Sequence, residues 1–385
     1  MKNEGRFRKM SINKQRVPLL HFPEYIVDDN NWDGKKIGDI VKTISPPVKL
    51  QSNEFKKIGK YPIVDQSQKY ICGYSDDSSA VIPISKDGCV VFGDHTCALK
   101  YIDFPFIQGA DGIKILIPNN TNAVSTRYLY QFLNAFPVVS KEYKRHFSEL
   151  KEKSFLYPLL IDEQDKIADC LFAIDSYISS INEKIEQLKA HKKSLMQKLF
   201  PQNGQTVPEY RFPIFRQNGE WRRKKMKEII TVNSGRDYKH LEAGEIPVYG
   251  TGGYMLSVND KLSDIDAVGI GRKGTIDKPQ YLKAPFWTVD TLFFLTSKED
   301  YNIEFVYYLA QNIPWKKYGE QTGVPSLSKL SIENLEVLVP ANKAEQKRIS
   351  TMLSSLDYEL FLLEKKMLLL ETHKNGLVQQ LFPQK

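Results

Sequence analysis

One 40-residue segment occurs twice in the chain, and this repeat constrains the fold more than any other feature. The sequence "EQDKIADCLFAIDSYISSINEKIEQLKAHKKSLMQKLFPQ" occupies residues 163–202, and "EQKRISTMLSSLDYELFLLEKKMLLLETHKNGLVQQLFPQ" occupies residues 345–384. The copies align without a gap at an offset of 182, and 15 of the 40 positions are identical. A chain of 385 residues is too long for one ordinary hydrophobic core. We therefore expect a tandem duplication in which a globular segment precedes each copy.

Apolar residues recur in each copy at alternating steps of four and three. They are Ile167, Leu171, Ile174, Ile178, Ile181, Ile185 and Leu188 in the first copy and Ile349, Leu353, Leu356, Leu360, Leu363, Met367 and Leu370 in the second. A sustained period of about 3.5 residues is typical of a coiled-coil seam. Pro201 and Pro383 cannot continue a helix, so each copy predicts a helix of about 35 residues, roughly 50 Å long.

A single apolar seam needs a facing seam, and the other copy is the nearest candidate. The first helix ends near residue 200, and the second begins soon after the second globular segment ends. This order predicts an antiparallel coiled coil, with pairing of each helix to another protein as the alternative. Lys192 and Lys374 take the same seam position in both copies. A lysine there can fix the register of the pair or extend to solvent at a frayed helix end.

The globular segments are diverged copies of each other as well. The matched pairs are "VPLLHFP" and "VPEYRFP", "WDGKKIGDI" and "WRRKKMKEI", "YPIVDQSQKY" and "IPVYGTGGYM", "VVFGDHT" and "VGIGRKG", and "RYLYQFL" and "EFVYYLA". Runs such as "CVVFG" and "TLFFLT" predict strands, and "TRYLYQFLNAF" predicts a helix. The expected fold is therefore α+β, with mixed α/β globules at residues 1–160 and 202–341 and coiled-coil helices at residues 161–201 and 342–385.

Charge and cysteine content limit the partners and the compartment. Lys and Arg number 54 and Asp and Glu 46, which leaves a net charge of 54 − 46 = +8, and the pI is about 9.0. Such an excess suits a polyanion without identifying one. No two of the four cysteines form a close pair, so neither a zinc knuckle nor a redox dithiol is predicted. We expect a cytoplasmic protein because no secretory signal and no membrane-length apolar run is visible.

The order of parts resembles the specificity subunit of type I restriction-modification systems over nearly the whole chain. The motifs that carry the resemblance are "WDGKKIGDI", "FGDHT", "FPFIQGADG", "YGTGGY", "GRKGTI", "FWTVDT" and the two "EQ…LFPQ" helices. The resemblance implies two target-recognition domains, each reading one half of a bipartite site in double-stranded DNA. It also implies an antiparallel coiled coil that holds two copies of a methyltransferase subunit, which restriction or translocase subunits can join.

The same resemblance implies that the chain itself is not an enzyme. Adenine methylation and ATP-dependent restriction would belong to partner subunits, and S-adenosylmethionine, ATP and magnesium would bind only there. Two unlike globules on a stiff rod would address an asymmetric site whose halves lie about one to one-and-a-half DNA turns apart, at about 34–36 Å per turn. The alternative is a coiled-coil scaffold that binds only proteins.

Three motifs resemble catalytic or nucleotide-binding signatures and receive other interpretations. "GIGRKG" at 269–274 has the glycine spacing of a dinucleotide loop, but Pro279 predicts a strand or loop where that motif opens a helix. "SPPV" at 45–48 resembles a loop of adenine methyltransferases, but Val48 replaces the aromatic residue. "GDHT" at 93–96 is either a capped turn or a base-contacting loop.

Candidate DNA contacts are polar side chains in predicted loops, because reading a base edge requires paired donors and acceptors. In the first globule they are Gln66, Ser67, Gln68, Lys69, Tyr70, His95 and Lys100, and in the second they are Thr251, Tyr254, Arg272, Lys273, Lys316, Lys317, Gln321 and Thr322. Lys316 and Lys317 are expected at phosphates. The basic run "WRRKKMK" at 221–227 is either a solvated helix start or a phosphate clamp. No metal site is predicted.

Overall fold

The computed structural model describes residues 18–25, 31–139, 144–202, 204–319 and 325–383. The chain divides into two compact units, one formed by Met1–Asn182 with Lys366–Lys385 and the other by Glu183–Lys365. Each unit therefore combines one globular segment with parts of both long helices. In the part of the chain that is described, no helix has the length and apolar character needed to cross a membrane.

Two helices are far longer than the others. The helices are α1 (Ile37–Ile40), α2 (Thr126–Ala135), α3 (Phe147–Glu152), α4 (Ile161–Leu199), α5 (Met226–Ile229), α6 (Ile303–Asn312), α7 (Lys329–Asn334) and α8 (Lys343–Leu381). Helices α4 and α8 have 39 residues each and coincide with the repeated segments. Both end just before the "FPQ" sequence, as expected because proline has no amide hydrogen to donate.

The first unit contains three separate β arrangements. Its strands are β1 (Trp32–Lys36), β2 (Val41–Ile44), β3 (Lys49–Leu50), β4 (Tyr61–Val64), β5 (Gly73–Ser75), β6 (Val81–Ile82), β7 (Cys89–Gly93), β8 (Leu99–Ile102), β9 (Phe106–Gly109), β10 (Ile113–Pro118) and β11 (Ser154–Pro158). Strand β1 pairs with β11, the order β2-β10-β7-β8 forms a second sheet, and β3-β9-β4-β5 with β6 forms a third.

The second unit repeats this topology. Its strands are β12 (Arg222–Lys225), β13 (Ile230–Ser234), β14 (Ala243–Gly250), β15 (Gly253–Val258), β16 (Ala267–Gly271), β17 (Gln280–Leu282), β18 (Trp287–Thr288), β19 (Leu292–Ser297) and β20 (Glu336–Val339). The sheets β12-β20, β13-β19-β16-β17 and β15-β14-β18 correspond in order to the three of the first unit. The α+β fold and the tandem duplication expected from the sequence are both confirmed.

The repeated "EQ" pair joins each long helix to its own globule. The side-chain amide of Gln164 accepts from the backbone of Ser125, the N-cap of α2, at 2.8 Å and donates to the carbonyl of Pro158 at 2.8 Å. Gln346 makes the same bonds in the second unit, to Asn302 at 3.0 Å and Pro340 at 3.2 Å. Both glutamines are buried. The start of each long helix is therefore fixed by polar groups satisfied within the core.

Each core also contains the end of a long helix. In the first unit, Leu381 and Phe382 pack with the start of α4 and with Tyr128 of α2. In the second unit, Leu199 and Phe200 pack with the start of α8 and with Phe305 of α6. The N-terminal part of one long helix and the last turn of the other therefore meet in each core, so α4 and α8 are antiparallel in both units.

The predicted seam residues all lie buried or half-buried along the two long helices. Each seam lysine meets an aspartate of the facing helix: Lys192 bonds to Asp357 in the second unit, and Lys374 bonds to Asp175 in the first. Asp357 also accepts from Tyr308 of α6 at 2.8 Å. These ion pairs favour the register-fixing interpretation over the frayed-end alternative.

Candidate nucleic-acid interface

Two turns of the first unit converge on the β4–β5 loop, residues 65–72. The hydroxyl of Thr96, which follows β7, donates to the carbonyl of Gln66 at 2.5 Å. The backbone amide of Asp94 donates to the carbonyl of Gly112 at 2.7 Å. The Gln66 side chain lies against Gly112, where an added Cβ would be 2.7 Å from Gln66 Oε1. "DQSQKY", "GDHT" and "GADG" therefore form one surface feature although they are distant in sequence.

The backbone and an unpaired oxygen distinguish this feature from an ordinary set of turns. Cys97 and Ala110 both have a φ of +54°, a region that costs a residue with a side chain on the order of 1–3 kcal/mol. The Oε1 atom of Gln66 is buried and has no hydrogen-bond partner in the described part of the chain. Such strain and such an unsatisfied polar atom occur preferentially at functional sites.

Lys100 lies inside the first unit and does not belong to the exposed surface. Its side chain is 4% exposed, and its ammonium donates to the carbonyl of Asp65 at 2.8 Å. Burial lowers its pKa, while the nearby Asp65 carboxylate opposes that change. Burial acts to raise the pKa of Asp65, but bonds from Ser67 and the charge of Lys100 outweigh it and the pKa is lowered. The contact with DNA expected of Lys100 is therefore replaced by a contact with the β4–β5 loop.

The other predicted residues of the first unit are accessible to different degrees. Gln68, Lys69 and Tyr70 are exposed, whereas Gln66, Ser67 and His95 are half-buried. The Tyr70 hydroxyl donates to the carbonyl of Tyr101 at 2.5 Å. Burial, followed by the charge of Asp103, raises the pKa of Tyr70 to about 12, so the phenol keeps its proton at neutral pH.

The residues of "GDHT" differ in which of the two interpretations left open by the sequence they fit. Asp94 is buried and its carboxylate accepts from the first amide of α3, that of Phe147, at 2.8 Å. Asp94 and Thr96 therefore hold the turn together, as the capped-turn interpretation requires. His95 is half-buried at the tip of the same turn.

In the second unit the exposed candidates lie around the β14–β15 turn and the β16–β17 loop. Tyr254 is 63% exposed, and Arg272 and Lys273 are exposed. The Arg272 amide donates to the carbonyl of Thr291 at 2.8 Å, and the Arg272 carbonyl accepts from Leu327 at 2.9 Å. The backbone of Arg272 is therefore fixed by hydrogen bonds to two different segments of the unit. No helix follows "GIGRKG", since β17 is the next element, which confirms that the motif is not a dinucleotide loop.

The remaining predictions for the second unit have mixed outcomes. Lys316 is exposed and pairs with Asp277 at 2.7 Å, and Lys317 is exposed. Gln321 and Thr322 lie outside the described residues. The run 222–225 forms strand β12, paired with β20, and α5 begins at Met226, so the helix-start alternative for "WRRKKMK" holds only for the last two residues of that sequence.

Sequence reasoning missed the β13–β14 loop of the second unit. Arg236, Lys239 and His240 are exposed there, and the Trp287 indole donates to the carbonyl of Arg236 at 3.0 Å. A Cβ added to Gly235 would lie 2.0 Å from the carbonyl oxygen of Val289, so only glycine permits this close approach. Basic residues directly after a glycine at a strand end were the signal available in "SGRDYKH".

Comparison with known proteins agrees with this architecture. The family described as the type I restriction modification DNA specificity domain matches residues 29–190 and 218–371. The chain is 21% identical over 374 residues to the EcoR124I/EcoR124II specificity subunit of Escherichia coli, covering 88% of this chain and 90% of that one. It is 33% identical over 116 residues to the MjaVIII specificity subunit of Methanocaldococcus jannaschii, covering 29% of this chain and 24% of that one.

A solved structure shares the fold. The type I restriction-modification S subunit from M. genitalium superposes with a TM-score of 0.72 at 18% identity, covering 96% of this chain and 100% of that one. The family match falls once on each half of the duplicated sequence and together spans most of the chain. The chain belongs to the family of type I restriction-modification DNA specificity subunits.

Proposed function

We propose that this chain reads an asymmetric, bipartite site in double-stranded DNA, with one half-site assigned to each unit. The observation that carries the proposal is the pairing of one shared topology with unlike loops. The β4–β5 loop presents Gln68, Lys69 and Tyr70, whereas the equivalent β14–β15 turn is short and glycine-rich and lies in a unit that presents Arg272 and Lys273. Different donors and acceptors at equivalent places select different bases.

The exposed basic residues supply the affinity that sequence reading requires. Lys69, Arg236, Arg272 and Lys273 are exposed, and phosphate contacts by such side chains position a protein on DNA without selecting a sequence. The same contacts make the affinity fall steeply with salt. We expect base selection to come from the amide, hydroxyl and guanidinium groups of the loops.

Methylation is assigned to two copies of a methyltransferase subunit that dock on the long helices. An exposed apolar stripe on α8 supports docking. Tyr358, Phe361 and Leu362 are 63%, 58% and 46% exposed, and Leu368 and Leu369 continue the series. The matching positions of α4 are the polar residues Ser176, Ser179, Ser180, Glu186 and Gln187, so the apolar series supports docking of one copy on α8 and leaves the second copy to a different contact. An exposed apolar series on a coiled coil that already has its seam filled favours a further protein partner.

Binding-site selection on random DNA, with the methyltransferase subunits present, tests the proposal. Two short conserved blocks separated by a fixed gap are expected, and the two blocks should differ. A single uninterrupted site would refute the bipartite arrangement. The purified chain incubated alone with S-adenosylmethionine and DNA should transfer no methyl groups, and transfer would refute the assignment of catalysis to partners.

Salt dependence separates this function from that of a scaffold that binds only proteins. A DNA-reading chain loses affinity by orders of magnitude between about 50 and 200 mM salt, because bound phosphates release their counterions. A scaffold would show no affinity for DNA even at the lowest salt, in the presence of the same partners.

A further inference from the structure

We infer that Lys100 and Gln280 are equivalent positioning residues, each of which fixes the DNA-reading loop of its own unit through the backbone carbonyls of that loop. The inference rests on the proposed function, because it assigns the β4–β5 loop and the β14–β15 turn to the two half-sites. The inference explains how the buried Lys100 would affect DNA recognition through the loop that it holds, without touching DNA.

The two residues occupy the same position in the duplicated sheet. Lys100 on β8 faces Val91 of β7, and Gln280 on β17 faces Gly269 of β16. Val91 and Gly269 are matched positions in "VVFGDHT" and "VGIGRKG". Lys100 and Gln280 therefore occupy equivalent register positions on the edge strands of equivalent sheets.

Both side chains reach the same point of the loop. Lys100 Nζ donates to the carbonyl of Asp65 at 2.8 Å. Gln280 Nε2 donates to the carbonyl of Gly250 at 2.9 Å and to that of Thr251 at 3.2 Å. Asp65 matches Gly250, and Gln66 matches Thr251, in "YPIVDQSQKY" and "IPVYGTGGYM". The residue that follows β4, and in the second unit the last residue of β14 with the residue that follows it, are thus tied to the neighbouring sheet.

The two anchors use different chemistry for this one contact. In the first unit the anchor is a buried ammonium, and the carboxylate of Asp65 lies 3.8 Å from it. In the second unit the anchor is a neutral amide, and glycine stands where the first unit has Asp65. The charged donor suits the first unit because its ammonium also attracts the Asp65 carboxylate, whereas Gly250 offers no charge to the amide of Gln280.

The anchors also determine what the loops present. Gln66, whose carbonyl accepts from Thr96, directly follows the anchored Asp65, and the exposed Gln68 and Lys69 lie two and three residues further on. A loop tied at its first residue holds these side chains in fewer conformations, so less conformational entropy is lost when DNA binds. Loss of the anchor should therefore weaken discrimination between bases more than it weakens contact with phosphates.

The test compares Lys100→Met and Gln280→Met in the full chain assembled with its methyltransferase subunits. The methionine side chain cannot donate a hydrogen bond, and its length is close to that of lysine and of glutamine. For Lys100→Met, we expect discrimination against mismatched bases to fall by about 10- to 100-fold in one half-site only, the range expected for a lost hydrogen bond from a charged group. Gln280→Met should weaken discrimination in the other half-site only.

Hydrogen exchange of the DNA-free protein provides a readout independent of recognition. The amides of Ser67 and Cys72, which donate to the Asp65 carboxylate and the Ile63 carbonyl, should exchange at least about tenfold faster in Lys100→Met, with the helices unchanged. The amide of Val289, which donates to the carbonyl of Tyr249 beside the anchored Gly250, should do so in Gln280→Met. Lys100→Gln, which introduces the anchor of the second unit, should restore part of the protection. Unaltered exchange in both methionine variants would overturn the inference, as would an equal loss of discrimination in both half-sites.

Failure of the proposed function has a different signature from failure of the inference. If the wild-type assembly selects no bipartite site, the proposed function fails, and the exchange experiment still decides whether the anchors exist. If the wild type selects a bipartite site and Lys100→Met discriminates normally, the inference alone fails. Global unfolding of both Lys100 variants would also overturn it, because Lys100 would then maintain the core rather than the loop.

Discussion

Glu345 has a buried ion-pair partner, whereas its counterpart in the repeat, Glu163, has only a distant histidine among the described residues, and this difference allows a prediction about stability. Glu345 and Glu163 are the matched acids of the two "EQ" pairs, and both are buried. Arg211 donates to the two carboxylate oxygens of Glu345 at 2.8 and 2.9 Å, and the Trp221 indole adds a third bond at 3.3 Å. Glu163 has His21 Nδ1 at 3.8 Å. Glu345→Gln should therefore destabilise the second unit far more than Glu163→Gln destabilises the first.

The magnitude follows from what each substitution leaves behind. Removing one charge from a buried pair leaves Arg211, with a side chain only 7% exposed, uncompensated, which typically costs about 3–5 kcal/mol. Glu163→Gln breaks no hydrogen bond of normal length, and we expect a cost below about 1 kcal/mol. With a urea slope of roughly 2 kcal/mol per M, the predicted midpoint shift for Glu345→Gln is about 1.5–2.5 M.

Tryptophan fluorescence during urea unfolding measures this difference. Trp221, Trp287 and Trp315 belong to the second unit, whereas Trp32 is the remaining tryptophan of the chain and belongs to the first. The signal therefore reports mainly on the unit that Glu345→Gln perturbs, and hydrogen exchange reports on the first unit for the matched control Glu163→Gln. A midpoint shift below about 0.5 M for Glu345→Gln, or equal shifts for the two variants, would refute the reasoning.

Three further predictions concern charge, the seam and the long helices. Burial raises the pKa of Glu163 from 4.5, so the contribution of this residue to the free energy of unfolding is present below pH 4.5 and is lost as the pH rises through the raised pKa. Glu163→Gln should flatten the pH dependence of the stability of the first unit, measured by hydrogen exchange. An unchanged slope of stability against pH would contradict this prediction. Asp357→Asn should cost about 1–2 kcal/mol in thermal unfolding, and most of this cost should vanish when Lys192→Met is already present; an equal cost in both backgrounds would show that the two side chains are uncoupled. Deleting four residues within 175–188 together with the matching four within 357–370 should shorten the selected gap by one or two base pairs, at ~1.5 Å per residue and ~3.4 Å per base pair, and a constant gap would disprove that the helices set it.

Much of the scaffold could be predicted because it repeats. A seam sustained over seven apolar positions in each copy leaves little choice other than a coiled coil. The partners of the seam lysines could not be predicted in the same way. Asp175 and Asp357 lie one position beyond the seam residues Ile174 and Leu356, and only the facing register shows that they meet Lys374 and Lys192.

The candidate site was less predictable because it forms from separate turns. Gln66, Thr96 and Gly112 are brought together by sheet topology, which depends on long-range strand pairing. The positive φ of Ala110 has no signal in its residue type, since glycine is the residue that usually adopts such a conformation. Lys100 was misplaced for a related reason, because lysine is almost never fully buried unless it is paired, and its partner is a backbone carbonyl.

The repeat also shows which residues the duplicated fold requires. Residues identical between the two copies include Gln164 and Gln346 at the helix starts, Asp175 and Asp357 beside the seam, and Phe200 and Phe382 at the helix ends. Each of these makes the same contact in its own unit, with a cap, a lysine or an aromatic core.

The positions that differ most face outward or form loops. Ser176, Ser179 and Ser180 of α4 occupy the repeat positions that Tyr358, Phe361 and Leu362 occupy in α8, and the loops around Gln66 and Thr251 share almost no residue. Substitutions at such positions leave the cores and the helix junctions intact, so the two halves could diverge in what they bind while keeping one scaffold. Identity at the helix starts, beside the seam and at the helix ends, together with divergence in the loops and on outer helix faces, is what the proposed reading of two different half-sites requires.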